Sequence, residues 1–360
     1  MSGSYHEEQR RKNILKLRDL MLDLPDFCFE YFQGIETTTA ERTRLGYGYD
    51  LKLFFAYLCD HKKEFAGKTI DDLTLEDLDT VQVRDIERFL EYVTYYQGES
   101  GDGRVRELKN GENGKARKVA AIRSLFKYFY KKQSIHNNPA MLISTPKIHE
   151  KNIIRLETDE MAKLLDEVDT ADKMTKHQQA YHEATHLRDQ ALITLLLGTG
   201  MRVSECVGVN LSDIDYSING VKITRKGGNE AVLYFGPEIE AALKAYEKQR
   251  REIIPLAGSE DAFFLSLQKK RITVRAVENL VKKYASSVTN LKKISPHKLR
   301  SSYGTALYNE TNDIYLVADV LGHKDVNTTR RHYAQMEDSR RRQAAGAVII
   351  REDTTPKSPE

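Results

Sequence analysis

Cysteine is scarce in this chain of 360 residues, and the spacing of the three that occur excludes two kinds of site. Cys28, Cys59 and Cys206 are odd in number and far apart, so they fit neither a disulfide framework nor a CxxC metal site. Two of them lie in apolar helical patterns, where a buried thiol acts as a small hydrophobic side chain. We therefore expect these cysteines to have a packing role.

Long apolar runs are also missing. The longest clearly apolar stretch, residues 191–197, is far too short to span a bilayer. The N-terminal residues contain no apolar segment of the kind that a signal peptide needs. We expect a protein of the cytoplasm without a membrane partner.

Positive charge is concentrated in one segment of the chain. The net charge is only +3, but residues 101–155 contain 13 Lys and Arg against 4 Asp and Glu, so this segment carries +9 and the rest −6. A basic block of this kind is common as a solvated surface. It is also the electrostatic footprint of a protein that binds a polyanion.

The length of the chain predicts two domains, and hydrophobic periodicity describes the first of them. Apolar residues recur at helical spacing, which predicts a small helical bundle. The stretch 98–114 is rich in Gly, Asn and charge, and we expect a mobile loop there. The predicted helices cover residues 8–33, 37–58, 83–95 and 115–133.

A mixed domain follows a linker at about 137–155 that prolines punctuate. Residues 221–224 and 231–235 are rich in β-branched and aromatic side chains and flank a turn with two glycines, which predicts a hairpin. The fold class is therefore mainly α with a small β-sheet. The predicted helices of this domain begin near 158 and at 188, 237, 273, 297 and 313.

The first of three short motifs is Gly-Thr-Gly-Met-Arg-Val-Ser-Glu at 198–205. Gly198 and Gly200 end the apolar helix and allow a tight turn. Arg202 then begins the next segment, where its two N–H donors suit two phosphate oxygens. Glu205 would hold the guanidinium in place. Taken alone, this is equally typical of an ordinary surface Arg–Glu pair.

Lys226 lies at the tip of the predicted hairpin. A lysine there could protonate a leaving oxygen as a general acid, although a solvated lysine is the commoner case for a turn. Because Lys222 and Arg225 lie beside it, the assignment within this cluster stays open.

The second motif, His-Lys-Leu-Arg at 297–300, opens a helix. Ser295 is a candidate cap and Pro296 suits the first helical position. His297 and Arg300 are then expected on one face, where they could stabilise the charge of a phosphorane. An arginine in a first turn opposes the helix dipole, which favours a functional role. Taken alone, however, the motif is slightly more typical of an ordinary capped helix start with two solvated side chains.

The third motif combines Leu-Gly-His at 321–323 with His-Tyr-Ala at 332–334. Gly322 is a natural residue to stop the preceding helix, and His323 follows at once. Only about one tyrosine in a thousand is a phenolate at neutral pH, so Tyr333 needs cations or a base to act as a nucleophile. A lone tyrosine here is more typical of a core position.

Together and in this order, the motifs resemble the pattern of the tyrosine recombinases, the family of the phage integrases, Cre and the Xer recombinases. The resemblance covers roughly residues 25–340 and is strongest at 190–334. Thr43, Tyr47 and the Asn-Pro-Ala sequence at 138–140 are similar to the core-binding domain and linker of Xer-type members. The resemblance implies a helical core-binding (SAM-like) domain and a mixed α/β catalytic domain.

The resemblance also implies roles. Two arginines clamp the scissile phosphate, the lysine protonates the leaving 5′-hydroxyl, the histidines assist, and the tyrosine forms a 3′-phosphotyrosyl link. Neither ATP nor a metal is implied as a cofactor, because the link conserves the phosphodiester energy and the arginines take a metal's electrostatic role. The implied catalytic residues are Arg202, Lys226, His297, Arg300, His323 and Tyr333, with Glu205 in support.

The implied partner is double-stranded DNA with inverted-repeat core sites, enclosed by a C-shaped clamp and acted on at the nucleoid. A homotetramer on paired sites is expected, with residues 347–350 docking on a neighbouring protomer or packing on their own domain, and an accessory DNA-bending factor is a further candidate. The candidate DNA-binding residues are Arg44, Lys115, Arg117, Lys118, Arg123 and Lys127.

The expected domain boundaries follow from the same resemblance. Because the core-binding pattern starts early, a simple two-domain recombinase without a separate arm-binding domain is expected. The segments are an N-terminal helical extension at 1–24, the core-binding domain at 25–140, a linker at 141–155, the catalytic domain at 156–340 and a tail at 341–360.

The chain departs from the family pattern at one spacing. Tyr333 lies ten residues after His323, where the family commonly has nine. One residue turns a helix by about 100°, so the turn after His323 has to absorb the difference. Tyr303, one turn after Arg300, is the alternative nucleophile.

Three functions fit the pattern. The first is a site-specific recombinase, serving a mobile element or Xer-type resolution, of which we favour the mobile element. The second is a DNA-binding regulator of the same fold without cleavage, and the third is a topoisomerase of the related type IB. The presence of every catalytic residue type favours an enzyme.

Overall fold

The computed structural model describes residues 5–99, 105–147, 154–170, 176–225, 228–289, 292–323 and 325–326. The chain divides into two compact units, with the division between Lys151 and Asn152. In the described part of the chain, no helix has the length and apolar character needed to cross a membrane.

Six helices and one hairpin form the described part of the first unit. Pro25 interrupts the predicted helix over 8–33, because proline disfavours helical backbone at the residue before it. That prediction of one helix is wrong. The elements are α1 (Tyr5–Met21), α2 (Phe27–Gly34), α3 (Glu41–His61), α4 (Leu75–Asp79), α5 (Val83–Tyr92), β1 (Tyr95–Glu99), β2 (Val105–Lys109) and α6 (Glu112–Lys131).

The hairpin β1–β2 corrects the prediction of a mobile loop over 98–114. The two strands pair antiparallel, with Tyr95 opposite Lys109 at one end and Glu99 opposite Val105 at the other. The Lys109 ammonium lies 5.0 Å from the centroid of the Tyr95 ring. Cross-strand pairs of this kind stabilise a hairpin, and the glycine and charge content of the segment concealed them.

Aromatic side chains form the core of the first unit. Phe27 meets Phe55 and Phe129 edge to face, with ring centroids 5.8 and 5.6 Å apart. Cys28 is fully buried among them, and burial raises the pKa of its thiol. The same is true of Cys206 in the second unit, so the predicted packing role is confirmed for both thiols.

A buried ion pair joins α3 to α6. Lys118 Nζ lies 3.2 Å from Asp50 Oδ1 and donates to Asn110 Oδ1 at 3.1 Å. Arg117 Nη2 reaches the same Asp50 oxygen at 2.9 Å from the exposed side. Burial raises the pKa of Asp50, and the two cations oppose that shift. Lys118 therefore supports the bundle.

The second unit contains seven helices and a three-stranded antiparallel sheet in its described part, with strand order β3-β4-β5. The predicted hairpin is confirmed as β4 and β5. The elements are α7 (Thr158–Thr170), α8 (Lys176–Thr199), α9 (Val203–Gly208), β3 (Ile214–Asp215), β4 (Gly220–Thr224), β5 (Glu230–Tyr234), α10 (Pro237–Glu252), α11 (Val274–Val288), α12 (Pro296–Thr311) and α13 (Ile314–Leu321).

Helix α8 is the centre of the second unit. Residues 191–197 are all buried, so this part of the helix is enclosed by protein on every side. It packs against α7, α10 and α12. Gly198 allows one of these contacts, because a Cβ there would lie 2.2 Å from Ile239 Cδ1. The close packing of the end of α8 on α10 therefore fixes the position of the turn that follows.

We expect Lys118→Met to destabilise the first unit by about 3 kcal/mol, the low end for breaking a buried ion pair, because Arg117 still neutralises Asp50 in part. Lys127→Met on the exposed face of α6 is the matched control, with an expected change within about 0.5 kcal/mol. Hydrogen exchange of the α3 and α6 peptides in the full chain measures both. Equal protection in the two variants would contradict a stabilising role for Lys118.

Candidate active site

The end of α13 is where the first two motifs meet residues 321–323 of the third. Gly322 adopts a left-handed conformation, with φ of +61°, and its N–H donates to Asp319 O at 2.8 Å. His323 N donates to Ala318 O at 2.9 Å. The two bonds form a glycine-dependent helix stop, which confirms the predicted role of Gly322. They fix the backbone of His323, whose side chain is half-buried.

Arg300 connects all three motifs. It lies on the first turn of α12 with 5 % of its surface exposed. Its Nη1 donates to Gly200 O at 2.7 Å, and its Nη2 donates to Leu321 O. The Leu321 carbonyl, at the end of α13, therefore accepts a hydrogen bond from Arg300, which lies near the start of α12. This contact accounts for the unfavourable position of Arg300 relative to its own helix dipole.

Arg202 contacts the carbonyl of Gly322, the residue that follows Leu321 at the end of α13. As predicted, it precedes the first turn of a helix, α9. Glu205 accepts the Arg202 backbone N–H at 2.7 Å and its Nη1 at 2.8 Å. Glu205 is almost fully buried, so it orients the guanidinium firmly. Arg202 Nη2 then donates to Gly322 O at 3.2 Å.

A third arginine lies at the same place, and sequence reasoning left its role open. Arg225 follows β4 and donates to Asp319 O and Val320 O at 3.1–3.3 Å. In the sequence, only its position beside Lys222 and Lys226 indicated that Arg225 could have a role in the site. We call the carbonyl groups of residues 319–322, with the arginines that cap them, the α13 cap.

The α13 cap concentrates positive charge. The acceptors of Arg225 are neutral carbonyls, which satisfy its N–H groups and leave its charge in place. Helix C-termini favour cations, so the position is a stable one for guanidinium groups. Arginines held in this way suit an anion with paired oxygens, such as a phosphate.

His297 lies on the same first turn as Arg300 but is exposed where Arg300 is buried. Its backbone carbonyl accepts the Ser301 hydroxyl at 3.1 Å. Pro296 occupies the first turn as predicted, whereas among the described residues the Ser295 side chain makes no capping hydrogen bond. Ser295 thus occupies the N-cap position, as predicted, without a capping bond from its side chain. The Ser295 carbonyl instead accepts Lys298 N and Leu299 N.

Two predicted catalytic residues, Lys226 and Tyr333, lie outside the described residues. Lys222, the alternative in the hairpin cluster, pairs with Glu230 across the strands at 2.9 Å. The alternative nucleophile Tyr303 is half-buried against α13, and burial raises the pKa of its hydroxyl. A raised pKa opposes the phenolate form that a nucleophile needs.

Three candidate DNA-binding residues of the first unit have other roles. Lys118 and Arg44 are buried, Lys118 beside Asp50 at 3.2 Å and Arg44 beside Glu36 at 3.3 Å, so each is paired with a carboxylate of the first unit. Arg123 donates to Ala140 O, Ile143 O and Thr145 Oγ1 and so fastens the segment after α6. Helical spacing does not reveal these partners within the first unit, and DNA contact by the three residues stays a prediction. Exposed side chains remain at Arg117 and Lys127, and a half-buried one at Lys115.

Comparison with known proteins identifies the family. Residues 155–340, more than half of the chain, match the model described as the phage integrase family. This chain is a member of that family. It is 34% identical over 341 residues to tyrosine recombinase XerC of Caldanaerobacter subterraneus subsp. tengcongensis, covering 90% of this chain and 86% of the relative. It is 29% identical to tyrosine recombinase XerS of Lactococcus lactis subsp. cremoris, covering 89% and 94%.

Solved structures share the fold of this family member. XerH recombinase in a post-cleavage complex with a palindromic difH substrate aligns with a TM-score of 0.63, at 20% identity over 92% of this chain and 93% of that one. The Tn1549 transposon integrase with transposon right end DNA aligns with a TM-score of 0.61, at 17% identity over 88% and 98%. The expected fold class is confirmed. The chain is a site-specific tyrosine recombinase, an enzyme that cleaves and rejoins DNA strands.

We expect Gly200→Ala to damage the α13 cap. Gly200 has φ of +61°, and a Cβ there would lie 2.4 Å from Tyr303 Cδ1 and 2.9 Å from Leu321 Cδ2. Backbone strain and overlap together should cost about 3 kcal/mol. Gly258→Ala, at φ of +83° with open space around it, is the control and should cost about 1 kcal/mol.

Urea unfolding of both variants gives the two costs, and DNA cleavage gives the effect on activity. Cleavage should fall in Gly200→Ala alone. Similar costs in the two variants would mean that the packing around Gly200 adjusts without penalty.

Proposed function

We propose that Arg202 and Arg300 clamp the scissile phosphate of a DNA strand. The observation that carries this proposal is that both guanidinium groups end on adjacent carbonyls, of Gly322 and Leu321. Arginines held on neighbouring acceptors have a fixed separation before a substrate arrives. Glu205 orients the first of them. The pair then stabilises the charge of the pentacoordinate phosphorus.

The remaining catalytic roles complete one reaction. The Tyr333 hydroxyl gives its proton to a base, for which His297 and His323 are the candidates, and its oxygen attacks phosphorus. The bond from phosphorus to the 5′ oxygen breaks, and Lys226 supplies the proton that the 5′ oxygen takes up. His297 and His323 assist at the phosphate. The position of His323 directly after the α13 cap supports this assignment, and the raised pKa of Tyr303 favours Tyr333 as the nucleophile.

The biological role that we propose is Xer-type resolution of DNA molecules. Similarity to XerC and XerS relatives over about nine-tenths of the chain supports this role over service to a mobile element, the role favoured by the sequence. The substrate would be a DNA site with inverted-repeat arms, bound by a tetramer of this chain and, where the site needs bending, an accessory factor. The enzyme would act at the nucleoid in the cytoplasm.

Residues 25–140 would be the core-binding domain that contacts DNA, preceded by the extension 1–24 and joined through the linker 141–155 to the catalytic domain. The catalytic domain would cover residues 156–340, followed by the tail 341–360. Lys115, Arg117 and Lys127 on α6 are our candidates for phosphate contacts. Such contacts position a protein without reading sequence.

Covalent trapping tests the nucleophile. We expect wild-type protein and Tyr303→Phe to form protein–DNA adducts with genomic fragments in EDTA, and Tyr333→Phe to form none. Sequencing of the attached ends should give 3′ ends that converge on one inverted repeat. Arg202→Lys should form adducts about 100-fold more slowly, since one bidentate phosphate contact is lost.

Adducts in Tyr333→Phe but not in Tyr303→Phe would reverse the assignment of the nucleophile. DNA binding at a defined site without any adduct would instead support a regulator. Relaxation of a plasmid that lacks the recovered site would support a topoisomerase.

A truncation tests the tetramer. We expect deletion of residues 343–360 to leave binding to a single site unchanged and to abolish pairing of two sites, because the apolar residues 347–350 would be lost from a neighbouring protomer. Gel-shift titration and analytical ultracentrifugation on paired sites measure the two steps. Pairing of sites by the truncated protein would show that the tail packs on its own domain.

A further inference from the structure

Arg225 is held by its backbone at the base of the β4–β5 turn. Its N–H donates to Asn229 O at 2.7 Å, and its carbonyl accepts Gly228 N at 3.0 Å. Gly228 has φ of +85°, the left-handed conformation that closes such a turn. The backbone of Arg225 therefore bonds to the residues at the far end of the turn. Lys226 is the next residue of the chain.

The Arg225 side chain leaves the turn and ends on a distant helix. Nη1 and Nη2 donate to Asp319 O at 3.2 and 3.3 Å, and Nη2 also donates to Val320 O at 3.1 Å. These carbonyls belong to the last turn of α13, where intrahelical donors run out and a cation is favoured. One planar guanidinium thus spans two acceptors, which an ammonium cannot do with fixed geometry.

The absence of a side chain at Gly322 makes this contact possible. A Cβ at position 322 would lie 2.0 Å from Arg225 Nη1 and 2.5 Å from its Cζ. Gly322 therefore leaves room for the Arg225 guanidinium in addition to ending the helix. The hydrogen bonds bridge 94 and 95 residues of sequence, so they join segments that are far apart along the chain.

We infer that Arg225 is a positioning residue for the proton transfer. It fastens the end of β4, directly before Lys226, to the helix end directly before His323, so that the proton donor and the phosphate-binding groups keep one geometry. The inference rests on the proposed function, in which Lys226 protonates the 5′ oxygen. Arg225 itself binds carbonyls and touches no reacting atom.

A sulfur-substituted substrate separates this role from the others. In DNA with sulfur in place of the bridging 5′ oxygen, attack by Tyr333 breaks a phosphorus–sulfur bond and releases a thiolate. Thiols have pKa values near 8.5, far below those of alcohols, so the thiolate leaves without a proton donor. A variant that has lost only the positioned donor should therefore recover on this substrate.

The experiment compares full-length variants on oxygen and sulfur substrates that carry the site recovered by covalent trapping. We expect Arg225→Gln to cleave the oxygen substrate about 100-fold more slowly and the sulfur substrate within about threefold of wild type, as Lys226→Ala should. Arg225→Lys should fall between. Arg251→Gln, which removes an exposed ion pair of α10, is the matched control and should cleave both at the wild-type rate.

The ratio of the two rates within one preparation does not depend on the fraction of folded protein, so partial misfolding cannot imitate recovery. If Lys226→Ala recovers on sulfur and Arg225→Gln does not, Arg225 acts on the phosphate or on folding, and the inference is overturned alone. A wild-type rate of Arg225→Gln on oxygen overturns it too. If Lys226→Ala itself fails to recover, the proposed proton donor is wrong and the inference falls with it.

Discussion

Four successive carbonyl groups at the end of α13 are the acceptors on which the site of the second unit depends. Residues 319 and 320 accept from Arg225, residue 321 from Arg300, and residue 322 from Arg202. A helix end offers such groups because the last turn has no intrahelical donors for them. Three segments that are far apart in sequence thereby share one anchor.

The α13 cap also offsets the repulsion between its positively charged arginines. Guanidinium groups near one another repel, and the helix dipole offsets that repulsion at a C-terminus by about 0.3–1 kcal/mol for each cation. The buried carboxylate of Glu205 offsets it further beside Arg202. Because the fold holds these cations before DNA arrives, little reorganisation is left for the moment of reaction.

Much of the fold was predictable because local signals agreed with the packing. Helix α10 begins at a proline and the hairpin β4–β5 surrounds a glycine turn, and both lie within a residue of their predicted bounds. The hairpin β1–β2 was not predictable, since its strands contain glycine and charge and are stabilised by partners across the turn. The inward turn of Lys118 depends on Asp50, which lies 68 residues away.

For the site, the sequence named the residue types and the structure added what they touch. Arg202 and Glu205 are three residues apart, so their pairing follows from spacing. The bonds of Arg300 to residues 200 and 321 follow from no local rule, because they depend on how α8, α12 and α13 pack. In the sequence, Arg225 was overshadowed as a functional candidate by its neighbour Lys226. Only its hydrogen bonds to the carbonyls of Asp319 and Val320 indicate its role.

The order of these contacts along the chain has a consequence for synthesis. Every arginine of the α13 cap is made before its acceptor, since residues 202, 225 and 300 all precede 319–322. Proteins are synthesised from the N-terminus, so the emerging chain carries its cations without the helix end that arranges them. A recombinase built in this way gains this arrangement of arginines only after residues 319–322 have been synthesised.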